Sequence, residues 1–182
     1  MAEGLLRRLL ARAGVGASVG SAGLMPGGAP ATADAVATMA ARSIDICSHV
    51  SHRLDGETVA SARLVIGMGR EHVREACVTY GAALERTFTL KELVRRGEQG
   101  GGRRADESVN AWLARIGAGR RTSALVGDEP DDDVADPIGR SRAVYEDTAD
   151  ELEYLLRRLV EMLAGDALPA AGAPATTDYT RS

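Results

Sequence analysis

The stretch Leu64-Val65-Ile66-Gly67-Met68 is short, continuously apolar and interrupted only by glycine. A strand with one wet face would alternate apolar and polar residues, so this pattern predicts a strand covered on both sides. The next segment is helical. Val73, Ala76, Cys77 and Tyr80 recur at the spacing of one helix face, and Gly81 suits the stop. Phe88 lies in a second strand candidate, Arg86 to Thr89. Strand, helix and strand in close succession make a crossover unit with parallel strands, and such a sheet needs helices on its faces.

Upstream, Leu5, Leu6, Leu9, Leu10 and Ala13 share a helical face that ends at Gly14. Met1 to Ala13 is also arginine-rich and poor in acid, as a transit peptide is, but its periodicity reads as a folded first helix. Ala17 and Val19 alternate with small residues toward Ser21-Ala22-Gly23, which reads as a short strand entering a loop. The loop from Leu24 to Pro30 is rich in Gly and Pro, and Thr32 is placed to cap a helix using Ala33, Val36, Ala37 and Ala40. Downstream, Leu90, Leu93 and Val94 suggest one or two helical turns, and Gly97 to Arg104 reads as a flexible glycine loop. Val109, Trp112, Leu113 and Ile116 keep helical spacing. The longest stripe comes last: Tyr145, Ala149, Leu152, Leu155, Leu156, Leu159 and Leu163. Residues 1–165 are thus expected to form one α/β domain, and 166–182, rich in Ala, Pro, Gly and Thr, a disordered tail.

Composition narrows the function. A chain of 182 residues with 45% hydrophobic and 26% charged residues is ordinary for a globular domain, and aromatics at 3% leave the core to aliphatic side chains. A formal charge of -4, with no basic stripe interleaved with aromatics, argues against a nucleic-acid partner. No run reaches the ~18 apolar residues of a membrane span. The two cysteines, Cys47 and Cys77, have neither metal nor disulfide spacing, so a cytoplasmic protein with reduced thiols and no cofactor is expected.

Four segments, taken in order, resemble the low-molecular-weight protein-tyrosine phosphatases. Ser18-Val19-Gly20-Ser21-Ala22-Gly23 resembles the family's strand-to-loop "SAG" segment. Ile44-Asp45 with His49-Val50-Ser51-His52-Arg53-Leu54 resembles its "GID…H.SR.L" segment, and Leu64 to Met68 its "DLVIxM" strand. Asp133-Val134-Ala135-Asp136-Pro137-Ile138-Gly139 resembles the acidic loop that precedes the last helix. The resemblance implies a flavodoxin-like three-layer α/β fold with a short parallel sheet, and hydrolysis of a phosphotyrosine protein or a small phosphomonoester. It also implies a loop of the form C-x5-R-S-P directly before the "MAE" that Met1-Ala2-Glu3 resembles. In the family the loop cysteine attacks phosphorus as a thiolate, backbone N–H groups and the loop arginine hold the phosphate oxygens, and an aspartate protonates the leaving oxygen. Only the aspartate is carried over, as Asp136. The resemblance places the first, central strand and the loop ahead of Met1, so Val15 to Ser21 and Leu64 to Met68 are expected to lack the strand between them. The chain as written is expected to be inactive, either because its recorded start lies downstream of the loop or because the loop has been lost.

Cys47-Ser48-His49-Val50-Ser51-His52-Arg53 also satisfies C-x5-R. It contains no glycine to let the backbone close on phosphate, and Leu54 stands where a supporting hydroxyl is expected. Cys47 therefore reads as a small, partly buried hydrophobe. Asp136 in Asp-Pro-Ile-Gly also fits a plain turn. Asp131, Asp132 and Asp133 read as a solvated acidic loop, without the glycine or distal Glu of a calcium loop. His49, His52 and His72 suit surface or capping roles, and Arg63 stands where the family usually has Asp. Two alternatives remain: a relative of the arsenate reductases, with Cys77 as redox partner, or a non-catalytic binding module.

Overall fold

The computed structural model describes residues 1–121 and 132–165. Its central unit is the one read from the sequence. Strand β1 (Val65–Gly67) pairs in parallel with β2 (Thr87–Thr89), in the register Val65↔Thr87, Ile66↔Phe88 and Gly67↔Thr89, and helix α4 (Arg70–Val78) crosses between them. Earlier in the chain lie α1 (Ala2–Arg12), α2 (Ala33–Ala41) and α3 (Gly56–Ser61). Later come α5 (Leu90–Gly100), α6 (Val109–Ile116) and α7 (Arg142–Ala164). This is an α/β fold of the flavodoxin-like type with a short parallel sheet.

Local chemistry sets the helix ends. The hydroxyl of Thr32 accepts from the Ala35 amide at 3.2 Å, Asp55 Oδ1 from Thr58 at 2.7 Å, Thr89 Oγ1 from Glu92 at 3.1 Å and Ser108 Oγ from Ala111 at 3.1 Å. Each satisfies an N–H that the first helical turn leaves open. Helix α7 collects α1, α2 and α5 along its apolar stripe. Phe88, Trp112, Leu5, Met39, Leu93 and Leu159 are fully buried in that main cluster. A smaller cluster of Val59, Ala76 and Ala82 lies under α3 and α4, with Cys77 packed against it.

Two expectations about the backbone are corrected. The strand expected around Ala17 and Val19 does not form; only Gly23 makes a parallel bridge, to Arg53. Val19 O is instead taken by the Arg7 guanidinium, at 3.0 and 2.6 Å, and the small neighbouring residues offer little apolar area to bury against a sheet. The glycine loop expected from Gly97 is partly helix, because α5 runs on to Gly100. Gly97 is there for closeness: a Cβ on it would stand 2.6 Å from Met162 Sδ on α7 and 3.2 Å from the Trp112 ring. Residues 101–103 are bound, not loose. Trp112 Nε1 donates to Gly101 O at 3.1 Å, Arg115 to Gly102 O at 3.0 Å, and Arg103 Nε to Leu163 O at 2.7 Å. The tail expected at 166–182 lies outside the described residues.

Candidate functional site

In an open parallel sheet, ligands bind beyond the carboxyl ends of the strands. At that end of β1, the Met68 carbonyl accepts the Val134 amide at 2.7 Å, which brings in the loop 132–138. Asp133 Oδ1 accepts the Arg70 amide at 2.9 Å, capping the start of α4. Gly69 makes this approach possible, since a Cβ there would lie 3.2 Å from Asp133 Oδ1. His72 closes the same turn by accepting the Gly69 amide on Nδ1 at 3.1 Å, a capping role as expected.

Asp136 stands exposed on this loop. Its Oδ1 accepts the Ile138 amide at 3.0 Å, the hydrogen bond of an Asx turn. The turn reading and the place beyond the strand end therefore coincide in one residue. The acidic run before it is not solvated throughout, which corrects the expectation. Asp132 is 5% exposed and sits between Arg95 and Arg70, whose Nη2 is 3.6 Å from Oδ2. No periodicity in three successive aspartates could have singled out the buried one. Asp131 lies outside the described residues.

The C-x5-R stretch 47–53 is not an anion cradle. Three of its N–H groups are already committed: Cys47 N donates to Asp45 Oδ1 at 2.8 Å, His49 N to Ile46 O at 3.0 Å and Ser51 N to Ala29 O at 2.8 Å. Cys47 is exposed, not partly buried as expected, because it stands in the turn between Ile46 and His49. Hydrogen bonding to the Asp45 carboxylate pushes its thiol above the ordinary range, the opposite of what a thiolate nucleophile needs. Cys77, half-buried in α4, has its thiol pushed up mainly by burial.

A second polar group lies at the first turn of α1. The Glu3 carboxylate accepts the Ser21 hydroxyl, pairs with Arg7 at 2.6 Å and stands 4.0 Å from His49 Nδ1. It ties the "SAG" segment and the loop at 49 to the start of α1. Among the described residues no group of His, Cys, Asp or Glu converges on a metal site, and no helix is long and apolar enough to cross a membrane. Two shallow clefts, one lined by Arg103, Glu161 and Gly165 and the other by Arg7, Ala11 and Val15, lie away from Asp136.

A family model described as low molecular weight phosphotyrosine protein phosphatase matches residues 1–102. The chain belongs to this family. It is 33% identical over 168 residues to the protein-arginine-phosphatase of Bacillus subtilis (strain 168), a match covering 91% of this chain and 89% of the relative. Among solved structures it is similar to a low molecular weight protein tyrosine phosphatase from T. tengcongensis, with 29% identity, a TM-score of 0.66 and coverage of 89% of this chain and 88% of that one. The solution structure of a low molecular weight protein tyrosine phosphatase from Bacillus subtilis is 31% identical, with a TM-score of 0.64 and coverage of 92% and 89%. The low-molecular-weight phosphatase resemblance read from the four sequence segments thus stands.

Proposed function

We propose that the reaction this fold serves is hydrolysis at a phosphorylated protein side chain, with Asp136 as the group that protonates the leaving atom, and that the two cysteines of residues 1–182 supply no nucleophile for it. One observation carries the reading. The loop bearing Asp136 is seated beyond the carboxyl end of β1, while both thiols are raised away from the thiolate form by their surroundings. In the family reaction a thiolate attacks phosphorus and an S–P bond forms as the bond to the leaving group breaks. The leaving atom takes its proton from the aspartate, which then activates water to break the S–P bond. Residues 1–182 as written offer the acid without the thiolate, so they turn over no phosphomonoester. The relatives' names favour phosphotyrosine or phosphoarginine as the substrate group. The compartment proposed is the cytoplasm. Cys77, held inside α4, does not favour the arsenate-reductase alternative.

The test uses p-nitrophenyl phosphate, a phosphotyrosyl peptide and a phosphoarginyl peptide. The chain itself shows no turnover; turnover abolished by Cys47→Ser would overturn the proposal. The same chain preceded by an apolar strand and a C-x5-R-S-P loop turns over substrate, and Asp136→Ala lowers its rate by about 100- to 10,000-fold. The ratio of kcat/KM on the two peptides then names the substrate. A loss below twofold on Asp136→Ala removes that residue from the mechanism.

A further inference from the structure

We propose that Asp132 is the positioning residue of the acid loop, its carboxylate fixing where Asp136 stands by bridging Arg70 and Arg95; this rests on the reading of Asp136 as proton donor. The two arginines come from different parts of the crossover unit. Arg70 opens α4 directly after β1, and Arg95 lies within α5, directly after β2. Asp132 Oδ1 pairs with Arg95 Nη1, and Oδ2 lies 3.4 Å from Arg95 Nη2 and 3.6 Å from Arg70 Nη2. One carboxylate therefore joins the loop to both elements at the strand ends.

A paired arrangement of two oxygens against a planar guanidinium fixes direction as well as distance. The next residues continue the anchor, with Asp133 on the Arg70 amide and Val134 on the Met68 carbonyl. Only Ala135 separates Val134 from Asp136, and beyond it Pro137 is buried and restricts the backbone on both its sides. A displacement at 132–134 therefore passes to the Asp136 carboxylate with little slack. Burial of Asp132 beside an exposed Asp133 is itself informative. The apolar contact of this loop comes from Val134, so the core does not require a buried charge here.

The experiment has two arms. In the full chain, Asp132→Asn is expected to speed amide exchange at Val134 and Ile138 by at least ~10-fold, since local opening governs exchange there, with α7 amides changed less than twofold. The Ile138 amide reads the Asp136 carboxylate directly. Unchanged exchange at both amides, or equal acceleration along α7, overturns the proposal. Should Asp132→Asn not fold, Arg95→Lys keeps the charge and loses the paired geometry; an intermediate acceleration is expected, and wild-type exchange refutes the anchor. In the chain preceded by an apolar strand and a C-x5-R-S-P loop, Asp132→Asn lowers kcat on phenyl phosphate by about 10-fold, as misplacement of a catalytic group does. The effect on p-nitrophenyl phosphate is smaller, because its leaving group needs the proton less, and KM stays unchanged. Equal losses on both esters, or a change confined to KM, overturn the positioning role. If Asp136→Ala lowers turnover of that chain less than twofold, the reading of Asp136 fails, while the exchange arm still decides the anchor.

Discussion

Arg120→Ala is expected to remove more stability than any exposed arginine substitution in this chain, because Arg120 is a buried hub. Its side chain is 6% exposed and its guanidinium lies 3.9 Å from the Phe88 ring centroid. Nε and Nη2 meet the Glu92 carboxylate at 2.8 and 2.9 Å, Nη2 also donates to Thr87 O at 2.8 Å, and Nη1 donates to Leu84 O. Breaking a buried pair costs ~3–5 kcal/mol, chiefly through the charge left behind. Glu92 retains Arg96 at 2.8 Å and lies in the first turn of α5, so the low end applies. The lost cation–π contact and the donors withdrawn from the Thr87 and Leu84 carbonyls push the other way. The balance is about 3 kcal/mol, or ~6–12 °C in Tm for a chain of this size. Urea unfolding should show a lower midpoint with an unchanged m-value. Arg120→Lys, which keeps the charge but not the fork, should lose about half as much. Arg142→Ala is the control: its pair with Glu146 is exposed, and removing it should cost less than ~0.5 kcal/mol. A loss below about 1 kcal/mol for Arg120→Ala would refute the hub.

The other contacts carry expectations of their own. Asp45→Asn should lower the Cys47 thiol toward its ordinary value and speed its alkylation near pH 8 several-fold, converging with wild type where both are thiolate; equal rates at pH 8 would contradict the Asp45 contact. Glu107 is held down to about 2 by hydrogen bonding to Arg115, so it adds stability above its unfolded value of 4.5 that is lost as pH falls toward 2. Glu107→Gln should therefore flatten the stability profile in that acid window alone, and an unchanged slope would argue against the pairing. Gly97→Ala gains ~1 kcal/mol of helix propensity but drives a methyl into Met162, for a net loss of ~1–2 kcal/mol. Adding Met162→Ala should recover part of that overpacking loss, and no recovery would show that α5 is spaced by other contacts.

Local patterning was enough to place β1, α4, β2 and α7, because an apolar run and an apolar stripe each have one economical fold and little competition. The cap at Thr32 was legible for the same reason: a side chain serving its own turn needs no distant partner. Asp136 was visible only through the order of the four family segments, since Asp-Pro-Ile-Gly alone describes an ordinary turn. What tertiary structure decided was which polar groups meet. Asp132 and Arg95 are 37 residues apart, Arg120 and Glu92 28 apart, and Ser21 and Glu3 18 apart. Such pairs leave no period in a sequence, because Coulomb and hydrogen-bond partners are chosen by packing. Gly97 shows the same limit in reverse. Its propensity pointed to a loop, but the gap between α5 and α7 leaves no room for a side chain and favours glycine inside a helix. The sequence by itself thus determined the crossover unit, the long final helix and the family; the contacts that seat the loop 132–138 and surround the two thiols came only with the assembled fold.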